Sequence, residues 1–257
     1  MRSETEMIAY ALEVDPRLLP WIPEILADFD ELGSNAALIV EVLKEFRLLA
    51  SARVVDLGCG KGAVAVAIAE AFGCRVEGIE LFEPFIDSCR RRADAAGVPH
   101  LCKFRHANIL KLAGQTEPVD VAVYAALGDV LGPLEETIGV IRRFVRTGGL
   151  ILFCEGYIKD GGTSDFPGFK DCSSHEETLR RLQSHGDGLR REVIEPIDHA
   201  EAYAREIAQI RRRAERLAER CPDLSAELTQ YVENQRREYA YMAANVVPAI
   251  WVLQRNA

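Results

Sequence analysis

The chain has 257 residues, 48% of them hydrophobic and 28% charged, the makeup of a globular protein able to bury a full core. Its formal net charge of −9 tells against a phosphate backbone as the main partner, because non-specific nucleic-acid affinity rests on clustered Lys and Arg. No apolar run approaches a membrane span, the opening "MRSETEMIAYALEVDP" lacks a secretory hydrophobic core, and seven scattered cysteines without a CxxC pair read as reduced thiols; the expected setting is the cytoplasm.

In chain order, residues 4–49 read as helices broken at Pro16, Pro20 and Pro23. The clearest is the amphipathic "SNAALIVEVLKEF", with Ser34 placed to cap it. Then β-rich runs alternate with helical ones. Strands are expected at 52–57 ("ARVVDL"), 75–80 ("RVEGIE"), 101–105 ("LCKFR"), 119–124 ("VDVAVY") and 150–155 ("LILFCE"). Helices are expected at Ala63–Phe72, Pro84–Ala96 and Leu134–Phe144, with Gly73, Gly97 and the pair Gly148–Gly149 as their stops. Such alternation signals a parallel sheet covered on both faces. A Gly/Ser/Asp-rich loop follows, then a short helix (Glu176–Ser184) and a strand (Leu189–Pro196). Residues 200–244 are strongly helical, split near "CPDLS", where Pro222 stops one helix and Ser225 or Asp223 is placed to cap the next. Tyr203, Ile207, Ile210, Ala214 and Leu217 make one apolar stripe; Leu228, Tyr231, Val232, Gln235 and Tyr239 make a second, so an antiparallel hairpin is expected. The chain closes on the β-rich "VVPAIWVLQ". The "RRR" runs at 90–92 and 211–213 read as solvated helix faces, and Cys172 with His175 offers half a metal site without a second half, so no metal is expected.

The stretch "RVVDLGCGKGAVAVAIAE" carries the chemistry. Glycines permit positive φ and close approach of a ligand, and the helix that follows presents unpaired N–H groups and a positive dipole end. Gly58, Gly60 and Ala63 satisfy G-x-G-x-x-[G/A], a dinucleotide fingerprint. Asp56 separates the candidates. A carboxylate here repels a pyrophosphate but welcomes the ammonium of a cofactor such as S-adenosylmethionine. Glu80, ending the next strand, is placed to accept from ribose hydroxyls, a role shared by nicotinamide cofactors.

"VVDLGCGKG" with "VEGIEL" downstream resembles the class I S-adenosylmethionine-dependent methyltransferases, over roughly residues 50–157. The resemblance implies a doubly wound, mostly parallel seven-stranded sheet of Rossmann-like α/β class whose last strand inserts antiparallel. "LRREVIEP" and "VVPAIWVLQ" stand as strands six and seven, with a helical insertion between them. It implies cofactor contacts at Asp56, Gly58, Cys59, Gly60, Gly62, Glu80, Leu81, Asn108, the backbone of Ile109 and Ala125. Asn108 departs from the acidic residue of the family, and its amide can still accept from an adenine amino group. The expected domains are an N-terminal helical cap (1–49), a cofactor-binding core (50–197), the hairpin (198–245) and the last core strand (246–257).

Methyl transfer is an in-line displacement in which alignment and desolvation do most of the work, so few residues need act as acid or base. The Asn/Asp-Pro-Pro-aromatic run of enzymes that methylate nucleobase amino groups is replaced here by "AALGD". A small-molecule acceptor is therefore expected, with neither nucleic acid nor membrane as partner; the hairpin is a candidate lid and self-association surface. Pocket-facing candidates for substrate contact or catalysis are Asp129, Glu155 and Tyr157, with His175, His185 and Tyr10 behind them. A protein side-chain methyltransferase, a non-catalytic S-adenosylmethionine-binding protein and a nicotinamide-dependent oxidoreductase are the alternatives. The acceptor atom stays open.

Overall fold

The computed structural model describes residues 3–195 and 199–257. Its elements in order are α1 (Glu4–Ala11), α2 (Ile22–Ile25), α3 (Ala36–Lys44), β1 (Arg53–Leu57), α4 (Ala63–Phe72), β2 (Arg75–Glu80), α5 (Glu83–Ala95), β3 (Cys102–His106), α6 (Ile109–Leu112), β4 (Val119–Ala125), α7 (Leu134–Arg142), β5 (Val145–Ile158), α8 (His175–Leu182), β6 (Gly188–Ile194), α9 (His199–Arg220), α10 (Ser225–Asn245) and β7 (Val246–Gln254). They divide into two compact units, residues 31–195 with 248–257 and residues 3–30 with 199–247. The expected boundary at 197/198 lies outside the described residues.

The larger unit holds a seven-stranded sheet of order β3-β2-β1-β4-β5-β7-β6. β1 pairs in parallel with β2 and β4, β2 with β3, and β4 with β5. β7 runs the other way: it is antiparallel to β6, and Gly148 and Gly149 at the start of β5 exchange backbone bonds with Arg255 past its far end. This is the Rossmann-like methyltransferase topology that the resemblance implies. Alternation along the strands builds a core on each face. Val54, Val76, Val121, Val123, Leu152, Ile250 and Val252 pack under α3 and α4. Val55, Leu57, Ile79, Tyr124, Ile151, Phe153 and Trp251 pack under α6, α7 and α8. The parallel strands β1 to β5 end on one edge, where the β1–α4, β2–α5, β3–α6 and β4–α7 connections lie side by side.

The smaller unit is helical. Ile207, Ile210, Ala214 and Leu217 of α9 and Leu228, Tyr231 and Gln235 of α10 are buried, so the two stripes face inward as the spacing requires. Arg213 and Arg212 bind Asp28, Arg17 binds Glu227, and Gln235 Nε2 donates to Glu13 Oε2 at 3.3 Å. The N-terminal thirty residues thus share a unit with the hairpin. Among the described residues no helix is long and apolar enough to cross a membrane.

Four local expectations are corrected. α3 is capped by Asn35, whose Oδ1 accepts from Leu38 N–H at 3.0 Å, not by Ser34; the helix starts one residue later and Asn is the equally good cap. α3 also belongs to the sheet unit, since Ile39, Val42 and Leu43 are buried in its core. Gly148 and Gly149 do not stop α7. They lie within β5, which starts at Val145 opposite Val119 and shifts register before Leu150; Gly148 has φ +78°, and a Cβ on Gly149 would stand 2.7 Å from Asp120 O. α10 has no side-chain cap, because the turn Pro222–Leu224 feeds straight into it with Ser225 already helical.

Candidate functional site

β1 ends at Leu57 and the chain turns through "GCGKG" into α4 with Gly58, Gly60 and Gly62 at φ +71°, +51° and +81°. Side chains rarely adopt that region, so the turn needs glycine. Two amides, Gly58 and Cys59, donate to Ile79 O at 2.8 and 3.0 Å and hold the turn against β2. At Gly62 close packing adds to conformation: a Cβ would stand 3.1 Å from Cys89 on α5.

Asp56 lies at 2% exposure. Its carboxylate takes the backbone N–H of Ala65 in the first turn of α4, while Oδ2 is buried with no hydrogen-bond partner among the described residues. Burial, with Glu80 adding repulsion, pushes its pKa up to about 7. Glu80, half-buried at the end of β2, accepts Gly60 N–H on Oε2 at 2.9 Å and Phe82 N–H on Oε1 at 2.7 Å. Burial raises its pKa as well. Cys59 is buried with its Sγ 4.0 Å from that of Cys89, and Leu81 is half-buried.

Asn108 is 92% removed from solvent and caps α6, its Oδ1 accepting Leu110 N–H at 2.9 Å; Ile109 beside it is buried too. Ala125 ends β4, and Ala126 N–H donates to Cys154 O at 3.0 Å. The turn that follows is held by Glu155, whose Oε1 accepts Leu127 N–H at 2.8 Å and Gly128 N–H at 2.9 Å. Burial, with Asp129 nearby, raises Glu155 to about 7. Asp129 closes the turn, its carbonyl accepting Gly132 N–H at 2.9 Å.

Glu80 is thus joined directly to Gly60 of the glycine turn, Asp56 is tied to Ala65 just past it, and Ala125, Asp129 and Glu155 form a second group about the β4–α7 connection. Tyr157 is not joined to either by these contacts. Its ring packs at 4.8 Å from His175 and 6.3 Å from Trp251 in the α8-side core. His175 and Trp251 both bond Glu192, and His185 Nε2 bonds Glu135 O, so both histidines serve the framework. Tyr10, Tyr203 and Tyr239 lie in the helical unit, where Tyr203 and Tyr239 pack ring to ring at 4.8 Å.

Three contributors escaped the sequence. A Cβ on Gly58 would stand 2.4 Å from Leu127 Cδ1, so Leu127 covers the turn. Leu32 and Gly33, just ahead of α3, reach the same place: Cβ atoms on Gly60 and Gly33 would stand 3.4 Å from Leu32 Cδ1 and 3.0 Å from Ala126 Cβ. "LGSN" signals a turn, but nothing in it says what the turn lies against.

Residues 54–149 match the family described as "Methyltransferase domain". That segment is a methyltransferase domain. It spans β1 to the start of β5 and contains the glycine turn, Glu80, Asn108 and the turn after β4, while Leu32, Gly33 and Glu155 lie outside it. A SAM-dependent methyltransferase from Geobacter sulfurreducens, solved with S-adenosyl-L-homocysteine, superposes with TM-score 0.77 over 95% of this chain and 99% of its own at 21% identity. One from Thiobacillus denitrificans, also with S-adenosyl-L-homocysteine, gives 0.74 over 91% and 98% at 24% identity. Likeness at these identities establishes the fold of the methyltransferase domain and its surroundings. Ribosomal protein L11 methyltransferase of Shewanella baltica is 30% identical over 141 residues, 52% of this chain and 45% of its own. The chain spans less than half the length of the curated relatives it matches.

Proposed function

We propose that the chain is an S-adenosylmethionine-dependent methyltransferase acting on a small-molecule acceptor. The observation that carries this reading is Asp56 Oδ2, a buried carboxylate oxygen without a partner among the described residues, beside a glycine turn and a helix N-terminus. An ammonium group supplies what that oxygen lacks, whereas a pyrophosphate meets the repulsion of the Asp56 carboxylate. The presence of S-adenosyl-L-homocysteine in two proteins of the same fold supports the choice.

The cofactor supplies an electrophilic methyl group on a cationic sulfonium. In this reading Asp56 holds the ammonium, and Glu80 keeps Gly60 and Phe82 in place while its remaining lone pairs accept from ribose hydroxyls. Gly58, Cys59, Gly60 and Gly62 give the bare backbone the cofactor lies on, and Leu81 borders it. Asn108 and the Ile109 backbone frame the adenine, with the Asn108 cap fixing their geometry. Ala125 lies beside the methionine, and Asp129 is the group assigned to the acceptor. Tyr157, packed on His175 and Trp251, is read as framework.

The likeness to ribosomal protein L11 methyltransferases favours a second reading, with a protein side chain as acceptor. Incubating the protein with methyl-labelled S-adenosylmethionine and a cell extract, then separating low-mass from macromolecular fractions, distinguishes the two. Label in the low-mass fraction is expected; label confined to protein moves the conclusion to the second reading, and no transfer to either overturns both.

A further inference from the structure

The two consecutive amides of Leu127 and Gly128 converge on one oxygen of Glu155, at 2.8 and 2.9 Å. Backbone N–H pairs of this kind form an anion-binding concavity, and a charged acceptor binds them more strongly than a neutral one. The turn they belong to is unfavourable on its own. Ala126 has φ +55°, a region that non-glycine residues rarely occupy, and Gly128 has φ +57°. Tyr124 Oη donates to Gly128 O at 2.8 Å from the sheet side, and Ala126 N–H is taken by Cys154 O. What the turn presents is Leu127, whose two methyl carbons stand 2.4 and 2.5 Å from where a Cβ on Gly58 would be.

We propose that Glu155 is a positioning residue for the glycine turn: its carboxylate gathers the Leu127 and Gly128 amides and thereby seats the Leu127 side chain over Gly58. Gly58 then lacks a side chain for two reasons, its backbone conformation and the leucine that fills the space. Glu155 acts on the cofactor site without touching the cofactor. The inference rests on the cofactor reading above.

The groups around Glu155 decide how this hold varies with pH. Asp129 faces it from the same turn, Tyr124 from β4 and Cys172 from the segment ahead of α8, with Cys154 its neighbour on β5. None is cationic at neutral pH, and burial already lifts the carboxyl to about 7. The hold on the turn therefore strengthens as pH rises through neutrality and slackens below it.

The test has two arms. In the cofactor-free protein, the Leu127 and Gly128 amide protons are followed by NMR between about pH 6 and 8. They are expected to shift together in wild type and to stay put in Glu155→Gln. In the second arm, S-adenosylhomocysteine affinity is measured across the same range for both proteins. The titration of Asp56 is common to them and cancels in the ratio of their dissociation constants. That ratio is expected to stand near one at the acid end and to reach about fivefold at the alkaline end, the scale of one strengthened hydrogen bond. Static amides, or a ratio that does not change with pH, overturn the proposal. Where Glu155→Gln does not fold, Leu127→Ala decides: it is expected to weaken S-adenosylhomocysteine severalfold while leaving the amide titration of Gly128 in place, and unchanged affinity overturns the proposal. Failure of wild type to bind S-adenosylhomocysteine at all overturns the cofactor reading instead, and the wild-type amide titration tells that outcome apart.

Discussion

Glu80 and Gly60 are joined across the mouth of the site: the carboxylate that ends β2 accepts the amide of the central glycine at 2.9 Å. One side chain thus serves the turn and, in the proposed function, the ribose. Glu80→Gln keeps one acceptor oxygen but turns the other into a donor facing the Gly60 or Phe82 amide. Both cofactor affinity and folding stability are expected to fall, each by about 1–2 kcal/mol. Calorimetry with S-adenosylhomocysteine and thermal unfolding measure the two; a loss of stability with affinity intact removes Glu80 from the cofactor site.

Asp56 gives the site a pH dependence of defined sign. Its folded-state pKa, near 7, lies above the unfolded value, so its protonation stabilises the empty protein, and that contribution is lost as pH rises through 7. Binding an ammonium needs the ionised form, so affinity runs the opposite way. Between about pH 6 and 8 S-adenosylhomocysteine should bind on the order of tenfold more tightly, the share expected of one titrating group. Asp56→Asn should remove that share and leave the change of about fivefold assigned to Glu155, and a larger slope that survives in Asp56→Asn points to another group.

Gly62 tests packing at the turn. Gly62→Ala places a Cβ 3.1 Å from Cys89 in a left-handed backbone conformation. Strain and crowding against α5 together are expected to cost about 1–3 kcal/mol of stability. Chemical denaturation with unchanged m-value is the check. A neutral effect means α5 yields easily and the glycine is there for another reason.

Much of the fold could be read from the chain because each signal was local. The strand at 75–80 and the helix at 63–72 appear with the expected ends, since β-rich and helical patterns switch sharply at Gly62, Gly73 and Glu80. The glycine turn and its two acids were legible for the same reason. Leu127 and Leu32 were not: each matters only through what lies against it, Gly58 for one and Gly60 for the other. Glu155 was legible as a strand-end acid facing the site, but its bonds to two amides of a distant turn depend on the β4–β5 register. Tyr203 and Tyr239, members of the two stripes of the candidate lid hairpin, face each other because both stripes turn inward on the same seam.

The helical unit carries its own titration. Glu238 is hydrogen-bonded to Glu13, with Gln235 donating to both, and burial with the second carboxyl raises it to about 9. Its folded-state pKa is above the unfolded value, so the contribution is fully present below about pH 4.5 and disappears as pH rises through about 9. Protection of the α9–α10 amides against hydrogen exchange should therefore fall in alkali, and Glu238→Gln should remove that fall. An identical profile in both proteins rules out a shared proton.

In the proposed function Asp56 and the glycine turn hold the ammonium end of S-adenosylmethionine. Calorimetric titration of wild type and Asp56→Ala with S-adenosylhomocysteine, with NADH as comparison, tests it most directly. Wild type is expected to bind S-adenosylhomocysteine and not NADH, and Asp56→Ala to weaken binding by about 1.5–3 kcal/mol, the scale of a lost charge-assisted hydrogen bond. Equal affinity in the two proteins, or preference for NADH, contradicts it.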